Sequence, residues 1–350
     1  MLSPITPASL GFSMPAEWTA HERCWLAFPC REELWGGEAE LTRARVAYAK
    51  VAQAINEFEA VCMVARPEDA TLARSLCGSN IEVMELPIDD SWMRDQGPTF
   101  VTNAKGEVAG VDWIFNCWGG LFPDFENDAA VAGRMLDAIG ASRFEAPLVL
   151  EGGAFHVDGR GSLLTTAQCL LHPNRNPRLS REQIEQMLCS YLGVRNIIWL
   201  GNGLFDDHTD GHVDDIACFV NETTILAQRC DDPFRPNYAA WQDNQRRLAA
   251  ARDVEGKPYQ VVTLPEPAPR HLADAKNHYV SLSYVNFYPA NGGIVMPVFG
   301  DPSDDEAVGV IRELFPQRKV ITLPVAEIFG GGGGIHCITQ QQPAGPLAKL

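Results

Sequence analysis

Four segments of this chain are more polar and more glycine-rich than their apolar surroundings: DDSWMRDQGP (89–98), LEGGAFHVDG (150–159), DDHTDGHVDDIACF (206–219) and GGGGIHCITQQQP (331–343). Each sets a cysteine, histidine or carboxylate beside a tight turn and close to a β-type run. Cys337 follows five consecutive glycines, which allow a ligand close to the backbone, and His336 adjoins it. His212 and Asp214 are two residues apart, a spacing that on a strand turns both side chains to one face. Asp95 lies in a segment that Trp92 and Pro98 make rigid, and Glu151 directly precedes Gly152 and Gly153. Singly, each reads as a packed thiol or a satisfied core polar group as readily as a reactive one. Together they offer one thiol, one imidazole and three carboxylates. Asp206, Asp207, Asp210 and Asp215 crowd the same histidine segment and read mostly as solvated loop acids.

A Cys–His pair suits nucleophilic attack with general acid–base help. Acyl transfer would gain little from three carboxylates, which raise a thiol's pKa and so deplete the thiolate. A cationic substrate resolves the conflict. A guanidinium is planar and permanently charged, and two carboxylates can meet its edges bidentately. Its charge about 4 Å from the thiol is worth up to roughly 4 kcal/mol at an effective dielectric near 20, or about three pKa units. Such a substrate would help ionise its own nucleophile, whose unperturbed pKa is about 8.5.

The elements that must position these groups alternate along the chain. Leu41, Ala44, Tyr48, Val51, Ala52, Ile55 and Phe58 form one helical stripe ahead of the β-rich run AVCMVA (60–65). A helix from about Asp128 to Ile139 precedes PLVLE. Others, opened by capping boxes at Ser180 with Gln183 and at Ser303 with Glu306, precede NIIWL and KVITLP. The runs GSLLTT, DIACFV, TTILAQ and GGIVMPVF read as further strands. The Pro-rich stretch 264–277 reads as a surface loop, and the chain as one domain, 1–350, of several α/β modules. Asp95, Glu151, His212 and Cys337 are separated by 56, 61 and 125 residues. The last gap is near two steps, which places a missing step near Asn286 in SYVNFYPANGG.

Composition narrows the partners. Apolar residues make up 46% of 350, enough for a sizeable core, and 45 acidic against 28 basic residues give a net charge of −17. No basic block tracks a phosphate backbone, so neither nucleic acid nor an anionic membrane is expected. No window approaches roughly 18 apolar residues and the N-terminal sequence lacks a secretory pattern, so a cytoplasmic protein is expected. The ten cysteines show no CxxC spacing and read as reduced thiols. GNGLFD lacks the third glycine of a dinucleotide fingerprint, and GxxxxGK[ST] and GxSxG are absent. Two other classes remain: a metal-dependent hydrolase using His208, Asp210, His212 and Asp214, and a non-catalytic polyamine binder using Asp95, Asp214 and aromatic walls at Trp92 and Trp118.

In order and wording the four segments resemble the agmatine deiminases of the guanidino-group-modifying superfamily. TDGHVD (209–214) and GGGGIHCITQQQP carry the resemblance most specifically. MPAEW (14–18), HERCWLAFP (21–29), FNCWGGL (115–121), LLHPNRNP (170–177), SYVNFY (283–288) and FGDPSDDEA (299–307) extend it over nearly the whole chain. The resemblance implies a five-bladed α/β propeller of ββαβ modules around a central site, with no metal or organic cofactor, in a homo-oligomer of two or more subunits. It implies Cys337 as nucleophile, His212 as general acid and base, Asp95 and Asp214 as the guanidinium's partners and Glu151 as support for His212 or the substrate. Trp92 and Trp118 are the expected aromatic walls. Agmatine is the implied substrate, with free arginine or peptidyl-arginine as the alternative within the superfamily.

Overall fold

The computed structural model describes residues 5–268, 270–271, 279–280 and 282–350, and within them one ββαβ pattern recurs five times. The second unit shows it plainly. Thr99–Asn103 pairs antiparallel with Val108–Ile114, the helix Val131–Ile139 crosses over, and Arg143–Val149 returns parallel to the middle strand. The third unit repeats this with Phe155–Val157, Ser162–Thr166, the helix Arg181–Leu192 and Asn196–Leu200. The fourth uses Ala217–Asn221, Thr224–Arg229, the helix Tyr238–Ala250 and Gln260–Pro265. The fifth uses Tyr288–Ala290, Gly293–Val298, the helix Asp304–Leu314 and Lys319–Pro324. The first unit is closed by the two ends of the chain: Gln340–Pro343 pairs antiparallel with His21–Ala27, followed by the helix Glu38–Asn56 and the parallel strand Ala60–Ala65.

These elements follow from local chemistry. The helix Glu38–Asn56 buries Leu41, Ala44, Tyr48, Val51, Ala52 and Ile55 of the expected stripe against the near-continuously buried strand Ala60–Ala65, while Phe58, the last of that stripe, lies past the end of the helix and is half-buried. Ser180 and Gln183 form the expected capping box. The box expected at Ser303 is not formed. Ser303 already has helical backbone angles and makes no side-chain cap, while the next residue, Asp304, turns back to accept hydrogen bonds from the amides of Phe299, Gly300 and Asp301. The helix expected from Asp128 begins at Val131, after a short separate turn at Glu126–Ala129, because the Asp128 carboxylate is engaged by the amides of Asp89 and Asp90. Of the stretch read as a Pro-rich loop, residues 264–265 end a strand, and residues 269 and 272–277 lie outside the described residues.

Fully buried Tyr48, Ile55, Met63, Tyr284, Tyr288 and Ile294 join the first and fifth units in one core, and Val101, Leu163, Leu188 and Leu192 join the second and third in another. All ten cysteines are free, and nine are buried. Among the described residues no helix is long and apolar enough to cross a membrane. Asp95, Glu151, His212, Asn286 and Cys337 each stand two to five residues before the first strand of a unit. The 125-residue gap therefore divides at Asn286, and all five units present one polar residue at the same topological position.

Candidate active site

Asp95 sits on the single helical turn Met93–Gln96. Its Oδ1 accepts the Gly153 amide at 3.0 Å, and its Oδ2 accepts the Trp118 indole N–H at 2.9 Å. The adjacent Arg94 ties this turn to the cysteine segment: its amide donates to the Cys337 carbonyl at 3.0 Å and its Nε to the His336 carbonyl at 3.3 Å. Glycine is needed at both positions after Glu151. A Cβ on Gly152 would collide with the Arg94 carbonyl, and one on Gly153 would lie 2.5 Å from His212 Nδ1, 2.9 Å from Asp95 Oδ1 and 3.0 Å from Asp214 Oδ2. Gly153 therefore keeps open the space that these three side chains share.

His212 is not on a strand, as its spacing to Asp214 suggested. It precedes the short 3-10 turn Val213–Asp215, and the strand starts only at Ala217. The turn still brings both side chains to one place, with His212 Nδ1 4.0 Å from Asp214 Oδ1, 3.7 Å from Asp95 Oδ1, and Nε2 3.8 Å from Glu151 Oε2. Glu151 is fixed by Arg175, whose Nε donates to it at 2.7 Å. Cys337 Sγ lies 3.6 Å from Asp214 Oδ2 and 3.1 Å from Asn286 Nδ2. Both ring nitrogens of His212, Oε2 of Glu151 and Oδ1 of Asp214 are buried with no hydrogen-bond partner. Buried polar atoms are normally paired, so this convergence of unpaired acids beside an imidazole fits a ligand that is cationic and rich in N–H groups.

Protonation follows the same geometry. Burial pulls the His212 pKa down, but Asp95, Cys169 and Glu151 outweigh it and hold the ring well above the usual histidine range, as imidazolium. Burial pushes the Cys337 thiol well up, and Asp214, Asp215 and Asp95 push it further, so the sulfur stays protonated while those carboxylates are unneutralised. Burial raises Asp95 to about 6. Burial opposes ionisation of Asp214 too, yet the His336 hydrogen bond overcomes it and keeps that carboxyl below its usual range. Asp215, read as solvated, is instead buried, and burial beside Asp214 holds it well above the carboxylate range.

Behind Asp214 stands a second layer that spacing did not reveal. His336 Nδ1 meets Asp214 Oδ2 at 2.8 Å and its Nε2 meets Glu17 Oε1 at 2.9 Å; Glu17, from MPAEW, also faces Arg94 Nη1 at 3.3 Å and His156 Nε2 at 3.4 Å. The motif was visible, but not its contact with a histidine 319 residues away. Trp118 is placed to order Asp95. Trp92 donates to Asp90 at 3.0 Å, stacks on Trp35 and borders Gly333 beside the cysteine. The metal set His208, Asp210, His212 and Asp214 is not assembled: His208 is exposed, and Asp210 is held by Asn174 at 2.8 Å and Arg175 at 3.0 Å. Neither His208 nor Asp210 belongs to any cluster of potential metal ligands among the described residues.

A family model described as Porphyromonas-type peptidyl-arginine deiminase matches residues 13–343. A putative agmatine deiminase of Legionella pneumophila (strain Paris) is 47% identical over 96% of this chain and 97% of its own length. The agmatine deiminase of Stutzerimonas stutzeri (strain A1501) is 46% identical, covering 97% of both chains. Among solved structures, agmatine deiminase of Enterococcus faecalis superposes with a TM-score of 0.93 at 36% identity, covering 98% of both chains.

Proposed function

The chain belongs to the Porphyromonas-type peptidyl-arginine deiminase family, and from that premise we propose that it hydrolyses agmatine to N-carbamoylputrescine and ammonia through a covalent intermediate on Cys337. The observation that carries the reading is the meeting of one thiol, one imidazolium and the carboxylates of Asp95, Asp214 and Glu151 around the space that Gly153 leaves open. Asp95 and Asp214 hold the two edges of the guanidinium. Its charge offsets the acids that keep Cys337 protonated, and as the cation arrives the thiol proton is lost to solvent, since His212 already carries its own.

The thiolate then attacks the guanidinium carbon. A C–S bond forms and the C=N π pair moves to nitrogen; the C–N bond to the leaving group then breaks as His212 supplies the proton that releases ammonia, and a remaining nitrogen's lone pair restores the C=N bond. The residual amidino-thioether stays on Cys337. His212, now neutral, takes a proton from water while the oxygen bonds to the same carbon. Collapse of that adduct breaks the C–S bond and returns the thiolate, while the carbon–oxygen double bond forms and the remaining hydroxyl proton is released to solvent. Glu151, itself anchored by Arg175, steadies the imidazolium through both steps.

Ammonia release from agmatine, free arginine and an arginine peptide tests the substrate. Agmatine is expected to be turned over at least about tenfold better than the others. The α-carboxylate of free arginine calls for a cation, and the nearby guanidiniums of Arg94 and Arg175 are already committed to Glu17 and Glu151. Comparable turnover of all three would sink the assignment to agmatine.

The acid side of the pH profile is also set. Asp95 must be ionised to hold the cation, and its pKa lies at about 6. Agmatine affinity should therefore hold above that pH and fall about tenfold per unit below it, as titration calorimetry on a Cys337→Ser variant would measure. Affinity unchanged down to the ordinary carboxylate range would remove Asp95 from cation binding.

A further inference from the structure

Asn286 is the one member of the five equivalent positions without a part in the reaction described above, yet it touches the reacting atom. We propose that Asn286 is a catalytic residue whose side-chain N–H stabilises the Cys337 thiolate, both before attack and when sulfur departs from the thioether. The inference rests on the reading of Cys337 as the nucleophile.

The side chain is fully buried and its orientation is settled by its neighbours. Oδ1 accepts the backbone amide of His336 at 2.8 Å and that of Cys337 at 3.4 Å, contacts that only an oxygen can make. Nδ2 is thereby turned to Asp215 Oδ1 at 3.0 Å, Cys337 Sγ at 3.1 Å and the Asp214 carbonyl at 3.4 Å. The backbone is pinned as well: Ser283 Oγ donates to the Asp215 carbonyl at 2.6 Å and accepts the Val285 amide at 3.1 Å. Gly334 completes the cradle, because a Cβ there would collide with Asn286 Oδ1.

The chemistry supplies the need. Three acids surround the sulfur, and against them stand the backbone amide of Gly334 and the side-chain N–H of Asn286, the one side-chain N–H among the described contacts of Sγ. A hydrogen bond to an anion is markedly stronger than one to a neutral group, so this donor favours S⁻ over S–H. It acts when the substrate's cation is absent as well as when it is bound. Sulfur is anionic at the start of the first half-reaction and at the end of the second, so one donor serves both.

The test measures alkylation of Cys337 by iodoacetamide against pH with no substrate present, read from the mass of the peptide that carries it. In Asn286→Leu the midpoint is expected to rise by about one to two pH units, and agmatine turnover to fall about ten- to hundredfold with KM little changed. Gly334→Ala, which displaces Asn286 while retaining it, should shift the midpoint in the same direction. A third readout uses the wild-type protein with isotopically labelled asparagine, in which one side-chain amide signal should follow the Cys337 titration. An unmoved midpoint in a folded variant, or no asparagine amide that follows the thiol, overturns the role of Asn286. The reading it rests on is tested apart from this: Cys337→Ser that still releases ammonia overturns the nucleophile, whatever the alkylation profile shows.

Discussion

Cys337→Ser is expected to lower ammonia release from agmatine by about 10⁴-fold or more, while agmatine affinity stays within about tenfold of wild type. The asymmetry comes from the division of labour in the site. In the proposed mechanism affinity comes from Asp95 and Asp214, which are held by the Gly153 amide, the Trp118 indole and His336, whereas the sulfur reaches Asp214 only at 3.6 Å. The proposed chemistry needs an anion at position 337. A buried thiol already pushed up by three acids can be brought into range by a bound cation, but an alcohol starts several pKa units higher and cannot. Ammonia assays and calorimetry on the one variant separate the two terms. Residual turnover above a hundredth of wild type, or a covalent adduct trapped on any other residue, would contradict the assignment.

Much of this architecture can be read before folding, because local patterns carry it. The helix Glu38–Asn56 announces itself through its stripe, and Ser180 with Gln183 through a cap that needs no tertiary partner. Ser303 fails where Ser180 succeeds because its rival, Asp304, satisfies a preceding loop whose course depends on the fifth unit's own fold. The pairing of His212 with Asp214 was anticipated through a strand that does not exist there. A 3-10 turn brings the two together by a different curvature, and the agreement lies in the outcome rather than the cause. The even spacing of polar clusters pointed to Asn286 as a missing step, since each unit has the same length scale. What spacing could not supply was contact. Glu17 reaches His336, and Asn286 reaches Cys337, in a fold where Gln340–Pro343 pairs with His21–Ala27 and brings the two ends of the chain into the first unit. Asp215 is the sharpest case: in sequence it is one acid in a crowd, and burial beside Asp214 lifts its carboxyl well above the carboxylate range.

Asp214→Asn should move two observables in opposite directions. Turnover of agmatine is expected to fall about 10²- to 10⁴-fold, since one edge of the guanidinium loses charge-assisted hydrogen bonds worth about 3–5 kcal/mol as a pair. Alkylation of substrate-free Cys337, by contrast, should begin at lower pH. After burial, Asp214 is the largest influence holding that thiol protonated, and asparagine has nearly the same shape without the charge. The amide oxygen can still accept from His336 Nδ1, so the second layer through Glu17 keeps its geometry and the change is chiefly electrostatic. A variant that merely loosened the site would slow both reactions or leave alkylation where it was. Faster alkylation with collapsed turnover instead identifies the carboxylate as a group that restrains the nucleophile until a cation neutralises it. In the proposed mechanism the charges that bind the substrate also keep the thiol inert in its absence, so specificity and activation become one event.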